Sequence, residues 1–425
     1  MTTNRTRQVR SVAVLADSDS RWKWGVQLAR RLNPSAVVSG YQFAGSDLPS
    51  QRQFAEAGIS ADAVSVVTSG ELVPALASAR PDVLILALPG GGCQATLHLL
   101  AAADLPDRPL VLTGYVGVVY EKIVEGLLLR SGADVVAVNS PADLERFRTV
   151  FAGVGLPVTS VALTRLPFLG DPGPRVAGRF TVTFAGQPGV PSTKWHRRFL
   201  IERLAEHAVR HPERDVLIKL RSLPGEQAAH TELYPYDQLY RSLGVDRPAN
   251  LKLVGGAMGR VLDRTDLLVT VSSTAAVEAV HRGIATALLT DFGIRESLGN
   301  TYFIGSGCLA SFDDLDAGAA PVADEAWARR AGLGHGPDPL PERVAELLAA
   351  GPLPPLKPFY TMTNGKAFLP GLLATYGVGP DGRPLPFLIG GAPAGLRSAV
   401  RRSARTMYRH GSQVVAPALR RLASL

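Results

Sequence analysis

The feature that most constrains this chain's fold is a pattern that runs through it twice. Short, continuously apolar runs of Val, Leu, Ile and Ala alternate with segments of helical spacing. In the first pass the apolar runs are 11–17, 36–43, 63–68, 82–88, 109–115 and 133–139, and 157–163 can close the set. Helix-like segments fill the gaps at 25–33, 71–79, 96–103 and 141–155. A strand apolar on both faces has to be covered on both faces, and intervening helices supply that cover. The pattern therefore predicts a parallel sheet.

Residues 165–179, RLPFLGDPGPRVAGR, interrupt the alternation and read as a connection between units. It resumes with strands at 180–187, 215–222, 251–256, 267–273 and 285–293, and helices at 194–210 and 234–244. A chain of 425 residues exceeds one ordinary core. The expected fold is α/β, with two doubly wound Rossmann-like domains and an interdomain cleft at their strand ends. The boundaries read from the sequence are 1–168, 169–351, and 352–425 for a crossing segment and tail.

Charge and cysteine content narrow the classes of function. Cys93 and Cys308 are the two cysteines, too few for a disulfide framework, which points to a reducing compartment. The apolar run after the basic N-terminus is short and reaches Asp17, so it reads as a first strand and not a signal peptide. No stretch approaches the roughly 20 apolar residues of a membrane span. The expectation is a cytoplasmic protein. The net charge of +8 is weighted toward 393–425, where arginines mix with Leu, Val and Ala. Two readings fit that segment: a helix packed on the protein, or peripheral contact with an anionic membrane face. No nucleic-acid module is visible.

The most informative stretch is 267–283, LLVTVSSTAAVEAVHRG, an apolar strand that ends in Ser272-Ser273-Thr274 just before a helix. Hydroxyls beside a helix start suit a phosphate, and a plain N-cap is the simpler use of the same residues. Glu278 follows one turn on, placed either to bind ribose hydroxyls or to complement the helix dipole. In the same half, Gln187, Lys194, Lys219 and Arg221 lie at strand ends or a helix start. Lys219 and Arg221 suit a phosphate electrostatically. His230, in a loop, is a candidate general acid.

In the first half the loop Asp17-Ser18-Asp19-Ser20-Arg21-Trp22-Lys23-Trp24 follows the first strand. Asp19 and Asp17 are candidates for the base that takes a proton from an acceptor hydroxyl, and both residue types also cap helices. Trp22 or Trp24 has the flat face that a sugar ring stacks on. Lys23, Gly90, Gly91 and Tyr115 are the candidate acceptor-side residues, at or near three strand ends. GxGxxG and Walker patterns are absent, which argues against dinucleotide enzymes and P-loop hydrolases. No metal and no cofactor is expected.

The segments VTFAGQP, RRFLIERLAEHAVRHPERDVLIKLRSLPGE and VTVSSTAAVEAVHRGIATALLTDFG resemble actinobacterial glycosyltransferases of largely unassigned function. They are more distantly similar to bacterial polysialyltransferases and capsule-polymer transferases. The resemblance covers about 10–300. It implies a GT-B fold, a nucleotide-sugar cosubstrate held by the second half, and a cell-envelope glycan or glycosylated metabolite as acceptor. In the polysialyltransferase-like enzymes a His-Pro pair follows the strand that matches DVLIKL. Here Arg221-Ser222 stands at that place, while Ser272-Ser273-Thr274 matches the second phosphate motif. Two rivals remain: a nonhydrolysing sugar-nucleotide 2-epimerase and a non-catalytic sugar-nucleotide-binding protein.

Overall fold

The computed structural model describes residues 8–44, 54–55, 63–118, 123–169, 173–187, 189–220, 234–244, 247–333 and 337–386. The first half runs β1 (Ser11–Ala16), α1 (Asp19–Leu32), β2 (Val37–Phe43), β3 (Val64–Val67), α2 (Ser69–Ala79), β4 (Val83–Ala87), α3 (Gly90–Ala103), β5 (Leu110–Gly114), α4 (Ile123–Leu128), β6 (Val135–Val138), α5 (Pro141–Gly153) and β7 (Val161–Leu163). The strands form one parallel seven-stranded sheet in the order β3-β2-β1-β4-β5-β6-β7.

Side chains in a strand alternate between faces, and both faces here are covered. Val12, Val14, Ile85 and Leu112 enter one buried cluster with α1. Ala13, Leu15, Leu84, Leu86 and Val111 enter another with α2 and α3. That division is why the runs are apolar at every position.

The second half repeats the plan with β8 (Thr181–Ala185), α6 (Lys194–Arg210), β9 (Asp215–Lys219), α7 (Tyr236–Arg241), β10 (Leu251–Val254), α8 (Met258–Leu262), β11 (Leu267–Thr270), α9 (Ala275–His281), β12 (Ala285–Leu289), β13 (Leu309–Ala310), α10 (Phe312–Asp316) and α11 (Glu325–Arg330). Its six strands are ordered β10-β9-β8-β11-β12-β13. In both sheets the winding reverses beside the first strand, at β1/β4 and β8/β11, the switch point where such sheets open a crevice. One face of this sheet buries Val182, Phe184, Val216, Ile218 and Val269. The other mixes Leu268 and Leu288 with threonines that satisfy one another, as in Thr183 Oγ1 and Thr265 Oγ1 at 2.8 Å.

The chain then returns to the first half. Helix α12 (Leu340–Ala349) puts Leu340, Val344 and Leu348 into the core beside α1, and α13 (Leu369–Ala374) puts Leu369 and Leu373 against α3. The return therefore precedes residue 351, where the sequence had drawn the edge of the second unit. The apolar stripe at 340, 344 and 348 does not say which core it enters. Arg31 of α1 binds both crossings. It donates to the carbonyls of Arg165, Leu166 and Leu169 at 2.9–3.0 Å and pairs with Asp338 at 3.3 Å.

Candidate functional site

On the second half, the loops after β8 and β11 meet. Arg197, buried on α6, donates to the carbonyls of Pro191 (2.8 Å), Gln187 (2.7 Å) and Tyr234 (2.9 Å), and its guanidinium lies over the Tyr236 ring. This holds Gln187 so that its Oε1 is 3.0 Å from Ser272 Oγ. The same hydroxyl reaches the Leu298 carbonyl, so Ser272 is buried and used by the protein itself. Ser273 Oγ accepts the Ala275 N–H at 3.2 Å, which makes it a capping residue. Thr274 is exposed. Of the three hydroxyls the sequence grouped, the structure gives each a different environment.

Glu278 is buried and bonded to Arg282 at 2.9 Å, and Arg282 pairs with Asp263 at 2.7 Å. Burial pushes the Glu278 carboxyl up; Arg282 pulls it back most strongly, and the Lys23 charge adds to that pull. Lys194 opens α6 and is exposed. Lys219 is buried, with Nζ donating to the adjacent Leu220 carbonyl. Arg221 and His230 lie outside the described residues.

On the first half, α1 begins at Asp19, so the DSRWKW stretch is its first two turns and not a loop. Trp22 and Trp24 are each 1% exposed and sit in the core; the sugar-stacking expectation for them is overturned. Trp22 and Trp24 stand about 200° apart round α1, so the helix is packed on more than one side, while Arg21 and Lys23 are only part-buried. Asp17 is bonded to Arg21 at 2.8 Å, and Arg21 also reaches Ser18 Oγ. The glycine run is the first turn of α3, and its bare backbone is approached by the protein's own side chains. A Cβ on Gly90 would meet Leu129 at 2.9 Å, and one on Gly91 would meet Leu372 at 2.8 Å.

Tyr115 turns inward. Its ring packs edge-on to Phe147 and under the Arg130 guanidinium, 4.1 Å from the centroid, and burial pushes its phenol up. Arg130 is itself buried and donates to the carbonyls of Gly114 (3.0 Å), Gly126 (2.9 Å) and Leu88 (3.3 Å), tying together the ends of β4 and β5.

The two edges face each other. A Cβ on Gly117, just past β5, would lie 2.6 Å from Thr274 Cγ2, and Val118 packs on the second half's core. Lys23 and Glu278 interact electrostatically across the same gap. The exposed end of the SST segment thus opposes the β5 loop, and the Lys23 charge of the first half acts on Glu278 of the second. Such a setting can neutralise an anionic leaving group between two binding surfaces.

Sequence reasoning missed Arg130 and Arg197, because an arginine in a helical segment is ordinarily solvated. It also passed over the i, i+4 pair His207 and His211, whose ring nitrogens come within 4.8 Å of an Asp316 carboxylate oxygen. His207 Nδ1 bonds Asp316 at 2.7 Å, while Arg203 and Arg210 also hold that carboxylate and Arg214 reaches His207 Nε2. Three guanidinium groups around the cluster repel a cation, and the contacts pin α6 to α10.

Comparison with known proteins places this geometry. The model of a family described as Putative glycosyltransferase (DUF6716) matches residues 12–347, which take in both sheets and the cleft. The chain belongs to this family. No curated protein matches it. Among solved structures, the UDP-GlcNAc 2-epimerase from Neisseria meningitidis bound to UDP-GlcNAc is similar at a TM-score of 0.50 and 12% identity, over 80% of this chain and 100% of that one. The glycotransferase of kitacinnamycin is similar at 0.48 and 14%, over 81% and 99%. The fold of this family member is GT-B, two Rossmann-like domains about a cleft. Among the described residues no helix is long and apolar enough to cross a membrane.

Proposed function

We propose that this glycosyltransferase-family protein moves a sugar from a nucleotide-activated donor to a glycan or glycosylated metabolite of the cell envelope. The donor nucleotide binds the second half and the acceptor the first, without a metal ion. The observation that carries the reading is the family match over 12–347, which spans both strand edges. In this scheme Asp19, the first residue of α1, is the base. Ser273, Thr274 and Lys194 contact donor phosphate, with Arg221 and His230, outside the described residues, as further donor-side groups. Lys23 adds positive charge from the acceptor side. The arginine-rich segment 393–425, which lies outside the described residues, makes peripheral contact with an anionic membrane in this scheme.

The test is a thermal-shift panel of CMP, UDP, GDP, dTDP and ADP, with and without Mg²⁺. A nucleotide at about 100 times its dissociation constant adds about 2.7 kcal/mol of stability. One nucleotide should raise Tm without Mg²⁺, and Thr274→Ala should shrink that shift while leaving the ligand-free Tm in place. No shift with any of the five would overturn the reading. Isomerised sugar nucleotide formed from donor alone would favour the epimerase rival.

A further inference from the structure

A second cleft, of about 540 Å³, contains none of the residues discussed above as donor or acceptor contacts. One wall is α5 of the first half, with Asp143 and Arg146. The other comes from the second half, with Thr301, Tyr302, Trp327 and Arg330. Its volume suits a small ligand.

The lining is specific in kind. Trp327 is half-buried, packed edge-on to Tyr302 at 5.9 Å and beside Phe303 at 5.8 Å, so its indole is braced from behind. Such a fixed flat surface suits the C–H face of a pyranose ring. Around it stand groups that match a sugar's hydroxyl rim. Asp143 has a side chain 4% exposed; one carboxylate oxygen takes the Ser140 hydroxyl and the other lies 3.6 Å from Arg146. Burial pushes the Asp143 carboxyl up, and burial followed by the Asp143 charge pushes the Tyr302 phenol up, so the phenol stays a hydrogen-bond donor at neutral pH.

The lining carries two arginines, Arg146 and Arg330, and two aspartates, Asp143 and Asp324. Arg329 pairs with Glu325, whereas Arg330 pairs with no carboxylate among the described residues, and Asp324 is used to cap α11. Arg146 is half exposed and, among the described residues, has one ion contact, the long one to Asp143.

We infer that this cleft is a binding site for a pyranose bearing an anionic group, a carboxylate or a phosphate, with the ring on Trp327 and the charge toward Arg146 and Arg330. Because its walls come from both halves, an occupant links them, and binding is coupled to their spacing. The inference goes beyond the donor-site reading and does not depend on it.

The experiment is calorimetric titration of the full chain with glucuronic acid, glucose 6-phosphate and glucose, with acetate and inorganic phosphate as charge-only probes. The two anionic sugars should bind at least about fivefold more tightly than glucose and than either simple anion. Arg330→Ala and Arg146→Ala, both at exposed positions, should each weaken the anionic sugars about fivefold to tenfold and leave glucose unchanged. Trp327→Phe, which keeps the packing on Tyr302, should weaken all three sugars. Absence of binding, or affinity unchanged in both arginine variants, overturns the site. Full displacement of the bound sugar by UDP, dTDP or CMP also overturns it, since the sugar would then occupy the nucleotide edge.

Discussion

Arg130 in the first half and Arg197 in the second are both buried at the C-terminal ends of a parallel sheet. Each satisfies three backbone carbonyls and lies on a tyrosine ring. What they hold differs. Arg130 closes its edge: Tyr115 points inward, and the glycine run of α3 is filled by Leu129 and by Leu372 from the returning chain. Arg197 arranges an open one: it sets Gln187 against Ser272, and the next hydroxyls lead out to exposed Thr274. A duplicated fold plan thus supports one edge whose glycine run is sealed by its own chain and one that remains available to a ligand.

The largest effect that tests this comparison is loss of either arginine. Arg197→Met leaves three carbonyls without their donor and should cost roughly 3 to 5 kcal/mol in urea unfolding. Arg130→Met should cost a similar amount; a loss below about 1 kcal/mol in either would break the parallel. Next in size are the glycines. Gly117→Ala meets Thr274 across the halves and should cost about 1 to 2 kcal/mol, relieved when Thr274→Ser removes the methyl. Gly91→Ala meets Leu372 within the first half, so the same Thr274 change should leave it unrelieved.

Smaller still is the electrostatic link between the halves. Burial raises the folded-state pKa of Glu278, so Glu278 lowers stability as pH rises from the unfolded carboxyl range through the folded value. Lys23 reduces that loss by favouring the charged form. Lys23→Met should therefore cost less than about 1 kcal/mol at neutral pH, and the part of that cost owed to Glu278 should disappear once Glu278 is protonated. In a Glu278→Gln background the pH-dependent part of the difference in Tm should vanish. The least effect is expected for Arg21→Ala, which removes a partly exposed pair with Asp17 and should shift unfolding by about 0.5 kcal/mol.

Both sheets, their parallel sense and the connection near 165–179 were legible because a doubly covered strand must be apolar throughout. The SST strand end and the exposed Lys194 helix start were legible for the same local reason. Harder to read was where polar side chains point. DSRWKW looked like a loop because its two acids and two bases lie so close together, yet as a helix it buries both tryptophans and leaves the charges at the edge. Lys219, read as a phosphate contact, bonds a neighbouring carbonyl.

What the sequence determined by itself was the local periodicity, and with it two α/β units and the residues able to stand at their strand ends. Only the tertiary structure decided which of those residues meet. Gly117 opposes Thr274, Lys23 is in reach of Glu278, and α12 leaves the second half to join the first. Periodicity is set by neighbours one turn or two residues apart. The partner of a loop, a buried arginine or an amphipathic face is chosen by packing across a hundred residues or more, and no local pattern encodes it.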